Sequence, residues 1–217
     1  MTKAQTRQLK GTPLAIIEAA ERLFGQHGIE NVSLRQIRLE ACAGNNSAIS
    51  YHFSDREKLV RAIWEYRLPI LDRARRVQLD DIYAKGLQHD PQMVLRALIM
   101  PSYDLLDSSG VHRYAAFFRH ALRWQQGTAI RNSQLNATPA SNEALALFHA
   151  LRPDASPQVL DYRLRYGTCM FFDMIFDRDV AIAGGQKVVG ESIFLAEGFG
   201  MLEALCLFSA RSSSHSS

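Results

Sequence analysis

Residues 33–62 read SLRQIRLEACAGNNSAISYHFSDREKLVRA. Ser33, followed three residues later by Gln36, has the pattern of a capping box and predicts a helix start. Apolar positions then recur at helical spacing, at Leu34, Ile37 and Ala41. A tight turn is predicted at Ala43-Gly44-Asn45, where the pattern stops. Two helices joined by such a turn are predicted, with the second helix short and polar.

The segment after the turn predicts a third helix whose inward face is Ala48, Ile49 and Phe53. Ser54 with Glu57 has the pattern of a second capping box. A fourth helix is therefore predicted from Ser54 to about Arg76. The outward face of the third helix carries short polar and aromatic groups, namely Asn45, Asn46, Ser47, Ser50 and Tyr51.

A short polar helix after a tight turn is typical of a helix-turn-helix, whose second helix enters the DNA major groove. Asparagine can bond adenine and serine can serve either base type, so we expect base contacts from that outward face and from His52. We expect phosphate contacts from Arg35, Arg56 and Lys58. The alternative is that the asparagines only cap the helix and that Tyr51 and His52 only pack.

In order and spacing, three stretches resemble the DNA-binding region of the tetracycline-repressor (TetR) family: residues 16–24 with Gly28, residues 32–37, and residues 45–53. The resemblance covers about a quarter of the chain. It implies a homodimer on a palindromic DNA operator and a C-terminal domain that binds a small-molecule effector. By this resemblance, Arg35 occupies a family position that contacts DNA near the start of the second helix. Arg56 stands where the family usually has a phosphate-binding lysine. The sequence departs from the family in a turn one residue longer and in Ser50, where an aromatic residue is frequent.

The rest of the chain also predicts helices, so the fold class is all-α. Four N-cap residues precede proline, an arrangement that suits a first helical turn: Thr12-Pro13, Asp90-Pro91, Thr138-Pro139 and Ser156-Pro157. Helices are predicted at about 12–24, 112–124 and from residue 188, with a bend at Pro101 and a loop over 125–137. We expect a DNA-binding domain with a basic arm at 1–62, an effector and dimer domain at 63–210, and a disordered tail at 211–217.

Two apolar helices, at 166–176 and 193–208, are candidates for a four-helix dimer interface, with Gly198 and Gly200 allowing close approach. The alternative is an internal core. The expected effector pocket is aromatic: Met100, Tyr103, Phe117, Phe118, His120, Trp124, Phe148, Tyr166 and Met170. Asp104, His120 or Asp173 would orient a ligand there, or else be ordinary polar residues.

Charge and composition fit this interpretation. The net charge is +3, and the whole surplus lies in residues 1–62, with nine Lys and Arg against six Asp and Glu. With neither a signal peptide nor an apolar run of membrane-spanning length, we expect a cytoplasmic protein and no membrane partner. The three cysteines form no C-x-x-C pair, and we expect them buried. No catalytic motif appears, so no enzyme, metal or cofactor is predicted. The alternative is a helical protein-interaction module that does not bind DNA. Added salt would weaken its apolar protein contacts less than it weakens DNA binding.

Overall fold

The computed structural model describes residues 12–41, 53–133 and 138–208, and all regular structure in these ranges is helical. The prediction of an all-α fold is confirmed. The predicted turn and third helix fall largely on residues 42–52, outside the described residues, as do Cys42 and the tail at 211–217. The helices are α1 Thr12–His27, α2 Leu34–Glu40, α3 Arg56–Ala84, α4 Pro91–Tyr103, α5 Arg113–Arg123, α6 Gly127–Ser133, α7 Pro139–Ala150, α8 Pro157–Ala183 and α9 Glu191–Leu207.

Three helix starts follow the predicted capping residues. Ser33 and Gln36 form the complete capping box of α2. The side chains of Asp90 and Ser156 accept the expected N–H bonds at α4 and α8. The prediction for Ser54 is wrong by one residue, because Asp55 is the N-cap of α3 and accepts from the backbone N–H of Lys58.

Helix α7 begins at Pro139, as predicted, but a distant residue caps it. The side chain of Thr138 makes no capping hydrogen bond in the described structure. The carboxylate of Asp72, on α3, instead accepts from the backbone N–H groups of Ala140 and Ser141 at 3.3 and 2.8 Å. A tertiary contact thus replaces the predicted local cap, and it ties α7 to α3.

Four predicted boundaries are corrected. Helix α3 continues past its predicted end at about Arg76 to Ala84. Helix α1 continues through Gly25 to His27 and ends before Gly28, whose φ of 83° is left-handed. The predicted loop at 125–137 contains the short helix α6. Helix α9 begins at Glu191, three residues after the predicted start.

One hydrophobic core joins the N-terminal helices to those that follow. Helix α1 packs most extensively on α5, while α8 packs on both α5 and α9. Phe24 of α1, Trp64 of α3 and Phe117 of α5 are all fully buried in this core. Helix α3 runs without a break past residue 62, so it belongs both to the N-terminal region and to the C-terminal one.

A buried ion pair also joins α1 to α3. The guanidinium of Arg67 donates two hydrogen bonds to the carboxylate of Glu21, at 2.7 and 2.8 Å. The Glu21 side chain is only 2% exposed, against 17% for Arg67. Burial raises the pKa of Glu21, although the hydrogen bonds and charge of Arg67 act in the opposite direction. The pair therefore fixes the geometry of α1 on α3 more than it adds free energy.

Cys169 and Cys206 are buried free thiols, as predicted. Burial raises the pKa of Cys206 to about 12, so the thiol stays protonated. Among the described helices, we find none with the length and apolar content needed to cross a membrane.

Candidate functional site

The exposed cation on the capped helix α2 is Arg35. Its guanidinium has no hydrogen-bond or ion-pair partner among the described residues, and it lies in the first turn of the helix. The N-terminal end of a helix carries a partial positive charge, which adds to that of Arg35. Helix α2 is held in place by Ile37, which is fully buried, and by an ion pair between Arg22 of α1 and Glu40. This surface is suited to an anionic partner.

Arg56 and Lys58 lie at the start of α3. The Nε of Arg56 donates to the backbone carbonyl of Val32 at 2.9 Å, which holds the start of α3 against the residue before the α2 cap. The ammonium group of Lys58 donates to the hydroxyl of Ser54 at 2.8 Å and remains exposed. The other six residues predicted to contact DNA lie outside the described residues: Asn45, Asn46, Ser47, Ser50, Tyr51 and His52.

A cavity of about 570 Å³ lies among the helices that follow. This volume falls within the range of about 300–1,000 Å³ that is usual for small-molecule sites. Helices α3, α4, α5, α6, α7 and α8 all contribute to its walls. The apolar part of the lining is Leu68, Leu71, Leu98, Ile99, Phe118, Leu122, Leu145, Leu164 and Phe172.

Helical periodicity determines which residues of α5 face the cavity. Tyr114, Phe118 and Leu122 are spaced four residues apart and line one face. Phe117 lies on another face, where it packs against Phe24 of α1 with ring centroids 6.5 Å apart. Helix α5 thus contacts the cavity on one side and the N-terminal region on the other.

Of the nine residues predicted to form an effector pocket, Phe118 lines this cavity. Phe117 and Phe148 are fully buried in the core, and Met100 and Trp124 pack against it. Tyr103 is also buried, and its hydroxyl donates to Glu191 at 2.9 Å. His120 lies beside Gly28, at the contact with α1. On α8, Tyr166 is 43% exposed and Met170 is half-buried. The residues of this helix that line the cavity are Gln158, Asp161, Tyr162, Leu164, Arg165, Thr168 and Phe172.

Arg75 is a buried charge in the cavity wall, and each of its three guanidinium nitrogens donates a hydrogen bond within the fold. Its guanidinium donates to the carbonyls of Ala97 and Leu98, at 2.8 and 3.0 Å, and to the hydroxyl of Ser141 at 2.5 Å. Asp72 binds the same hydroxyl from the other side at 3.0 Å. Burial lowers the pKa of Arg75 to about 10, so it remains charged near neutrality. This network joins α3, α4 and α7.

Tyr114 and Arg131 also contribute polar groups to the cavity wall. The hydroxyl of Tyr114 is buried and has no hydrogen-bond partner in the part of the chain that the structure describes. The Arg131 guanidinium likewise has neither a hydrogen bond nor an ion pair there. It lies over the ring of Phe118, with its central carbon 5.7 Å from the ring centroid. Sequence analysis missed Arg131 because its helix was predicted to be a loop.

The contact between α1 and α5 is close. A Cβ atom added at Gly25 would lie 3.0 Å from the backbone nitrogen of Phe117 and 3.1 Å from the Cβ of Ala116. Arg119 extends the contact, since it donates to Asp173 of α8 at 2.8 Å and to the carbonyl of Gly25 at 3.4 Å. Asp173, one of the predicted ligand-orienting residues, also accepts from Arg123 at 2.5 Å.

The outer face of α9 carries a continuous exposed stripe. Its members recur at three- and four-residue spacing and are almost all apolar: Ile193, Ala196, Glu197, Gly200, Met201, Ala204, Leu205 and Phe208. The two glycines of this helix lie on different faces. A Cβ at Gly198 would lie 2.5 Å from the ring of Phe171, whereas one at Gly200 would meet nothing within 4 Å. Gly198 therefore serves packing within the protomer, and Gly200 lies on the exposed stripe.

These features define a class of helical protein with a capped N-terminal helix pair, an internal cavity and an apolar outer helix. Residues 16–63 match the family model of bacterial regulatory proteins, tetR family. The HTH-type transcriptional regulator AcrR of Shigella flexneri is 30% identical over 100 residues, which cover 46% of this chain and 44% of that relative. The N-terminal region of the chain is thus similar to the DNA-binding region of the tetR family, and the chain spans less than half the length of this relative.

The crystal structure of a protein from Shewanella sp. PV-4, assigned to the tetR family of transcription regulators, has the same fold. Its TM-score is 0.60 at 14% sequence identity, and the alignment covers 89% of this chain and 96% of that one. At this level of identity the likeness concerns the fold alone. It extends the agreement beyond residue 63, where the family model ends.

Proposed function

We propose that the protein is a sequence-specific DNA-binding transcription regulator that responds to a small molecule. The observation that carries the proposal is the unpaired, exposed Arg35 on the capped helix α2, within the region 16–63 that matches the family. Residues 1–62 would bind a double-stranded operator, and residues 63–210 would bind the effector and form the dimer. Since bacterial DNA lies in the cytoplasm, the protein would act there.

The DNA contacts divide into two groups. Arg35 and Lys58 would bind phosphates, because both are exposed cations with donor groups to spare. Arg56 retains two terminal nitrogens for a phosphate while its Nε holds the Val32 carbonyl. The second group would contact the bases or pack beneath the helix face that contacts them, and it consists of Asn45, Asn46, Ser47, Ser50, Tyr51 and His52.

Fluorescence anisotropy with a labelled duplex from directly upstream of the protein's own gene tests DNA binding. Affinity should fall steeply with added salt, because each neutralised phosphate contributes a slope of about −0.9 in log K against log salt. Arg35→Ala should bind more weakly at every sequence and reduce the magnitude of that slope by about one. Arg73→Ala, which removes an exposed arginine of α3, is the matched control. Equal affinity of Arg35→Ala and the unchanged protein would contradict the proposal.

The exposed stripe of α9 supports a homodimer. An apolar stripe on a two-fold axis buries itself against its own copy, and small residues such as Gly200 and Ala204 allow the helices to approach closely. Size-exclusion chromatography with light scattering should give a dimer for the unchanged protein. Ala204→Arg should give a monomer, whereas Ala74→Arg, the same change on exposed α3, should remain dimeric. If Ala204→Arg is also dimeric, the interface lies elsewhere.

The route from effector to DNA is helix α5. Tyr114, Phe118 and Leu122 contact the cavity, while Ala116 and Phe117 contact Gly25 of α1. A ligand that displaces α5 would therefore displace α1, and a ligand that prefers one arrangement shifts the population towards it. The proposed outcome is release from the operator, as in a repressor. Unchanged operator affinity at saturating effector would refute that coupling.

A further inference from the structure

We propose that the cavity takes an amphipathic ligand with one anionic oxyacid head on an apolar body, and that Arg131 and Tyr114 bind the head. The inference rests on the proposed effector role of the cavity and specifies its ligand class. It comes from the imbalance between hydrogen-bond donors and acceptors in the cavity wall.

The first element is the charge of Arg131. Guanidinium groups stay ionised in proteins, and a half-buried one normally has a carboxylate or carbonyl partner. Arg131 has only the face of Phe118 among the described residues. A carboxylate in the cavity would supply the missing acceptor in bidentate geometry.

The second element is the hydroxyl of Tyr114. Its side chain is 1% exposed, and its ring stacks on that of Phe118 with centroids 5.5 Å apart. Burial raises the pKa of Tyr114, so the hydroxyl keeps its proton and can donate. Buried hydroxyls almost always have a partner, which makes the unpartnered Oη of Tyr114 a position for a ligand oxygen. Both donors adjoin the same ring and can serve one head group.

The other charges of the wall do not neutralise Arg131. Arg75 and Asp72 share the Ser141 hydroxyl and balance each other. Asp161 is exposed and binds His149 at 2.8 Å, and Arg165 donates to the Tyr166 hydroxyl at 2.9 Å. Asp161 forms no ion pair with Arg131, and burial lowers the pKa of Arg131 despite the opposing charges of Tyr114 and Asp161. The wall is therefore positive at Arg131, which disfavours cationic ligands.

The remaining surface selects the body of the ligand. Nine of the nineteen residues that line the cavity are leucine, isoleucine or phenylalanine, and they come from five helices. Apolar surface of this kind favours an aliphatic chain or aromatic ring, and gives no means of holding a second charge. A monoanionic molecule with a single apolar body fits both parts.

Isothermal titration calorimetry on the full-length protein tests the proposal, with probes that share one chain and differ in the head. Decanoate, 1-decanol and decyltrimethylammonium supply an anionic, a neutral and a cationic head, and 2-naphthoate supplies an aromatic body. We expect at least one of the two anions to bind, and decanoate to bind about tenfold or more tightly than 1-decanol. The cation should not bind measurably. Equal binding of the three decyl probes, or no binding by either anion, overturns the proposal.

Two variants locate the head group. Arg131→Gln should weaken binding of the anion by about 10- to 100-fold, and should leave 1-decanol unchanged. Tyr114→Phe removes only the hydroxyl and should weaken the anion by about fivefold. Arg73→Gln, on the exposed face of α3, should bind like the unchanged protein. Unchanged anion affinity in Arg131→Gln overturns the assignment, and far-UV circular dichroism confirms that each variant is folded.

Failure of this inference is distinguishable from failure of the proposed function. If anions bind in the calorimeter but leave operator affinity unchanged, the ligand class stands and the coupling to DNA fails. If the protein binds its operator while neither anion binds, the regulator proposal stands and the ligand class is wrong.

Discussion

The buried pair of Glu21 and Arg67 gives a quantitative test of how α1 is held on α3. Arg67→Met removes the guanidinium but keeps a side chain of similar length. It leaves the Glu21 carboxylate buried at 2% exposure, with its two hydrogen bonds at 2.7 and 2.8 Å lost. An uncompensated buried charge is among the few changes that destabilise a protein severely.

The expected cost of Arg67→Met is about 3–5 kcal/mol in the free energy of unfolding. Glu21→Leu leaves Arg67, which is 17% exposed and can reach water, so we expect a smaller loss of about 2 kcal/mol. The double variant Glu21→Leu/Arg67→Met contains no buried charge. Since apolar replacement of a buried pair is often neutral, it should be more stable than Arg67→Met alone.

The effect should depend on pH in a direction that the pKa shift fixes. Burial raises the pKa of Glu21, and losing Arg67 raises it further. A raised carboxyl pKa in the folded state favours the protonated form, so stability is retained at low pH and lost as pH rises through that pKa. Arg67→Met should therefore be less destabilised at pH 5 than at pH 8, relative to the unchanged protein at the same pH.

Urea unfolding followed by far-UV circular dichroism, at one fixed protein concentration, measures these differences. Arg76→Met is the control, because Arg76 is 40% exposed and pairs with half-buried Glu143 and exposed Asp80. It should cost less than about 1 kcal/mol. If Arg67→Met costs no more than Arg76→Met, or if the double variant loses the sum of the single losses, the reasoning on the buried pair is wrong.

Two further predictions concern other tertiary links. Asp72→Ala should cost about 3–5 kcal/mol in urea unfolding, because it leaves Arg75 buried without its countercharge and uncaps α7; a loss under 1 kcal/mol would show that the link is dispensable. Burial lowers the pKa of His120, and the charges of Arg119 and Arg123 lower it further. The charge of Asp173 and a hydrogen bond with the backbone of Gly25 act in the opposite direction. A group whose pKa is lowered in the folded state contributes stability that is lost as the pH falls below the ordinary histidine value. The urea midpoints at pH 7 and pH 5 should therefore differ less in His120→Asn than in the unchanged protein. An equal difference in the two proteins would contradict this.

Local patterns predicted the elements of the fold well. Apolar spacing placed the core of α1 and α2, and the cap residues Ser33, Asp90 and Ser156 placed three helix starts because capping is a short-range hydrogen bond. The cap of α7 could not be predicted this way, since Asp72 lies 68 residues from Ala140 in sequence. Helix α6 was missed because no capping residue or apolar repeat marks it.

The cavity was less predictable than the helices. Composition pointed to aromatic residues of α5 and α8, but a helix presents several faces, and sequence does not say which partner each face meets. Phe117 and Phe118 are neighbours, yet one meets α1 and the other lines the cavity. The four-residue spacing of Tyr114, Phe118 and Leu122 was the available signal. Arg131 became a candidate only when the structure placed it beside that face.

Helix α3 has a mechanical consequence. Its 29 residues, which include Pro69 in the helix interior, would span about 43 Å as a straight helix at about 1.5 Å per residue. Leu71, in the cavity wall, lies about 22 Å along the axis from Arg56 by the same rise. A tilt of about 5° around Leu71 would therefore carry Arg56 sideways by about 2 Å. A small tilt at the cavity would thus become a larger displacement at the end of α3 nearest the proposed DNA surface.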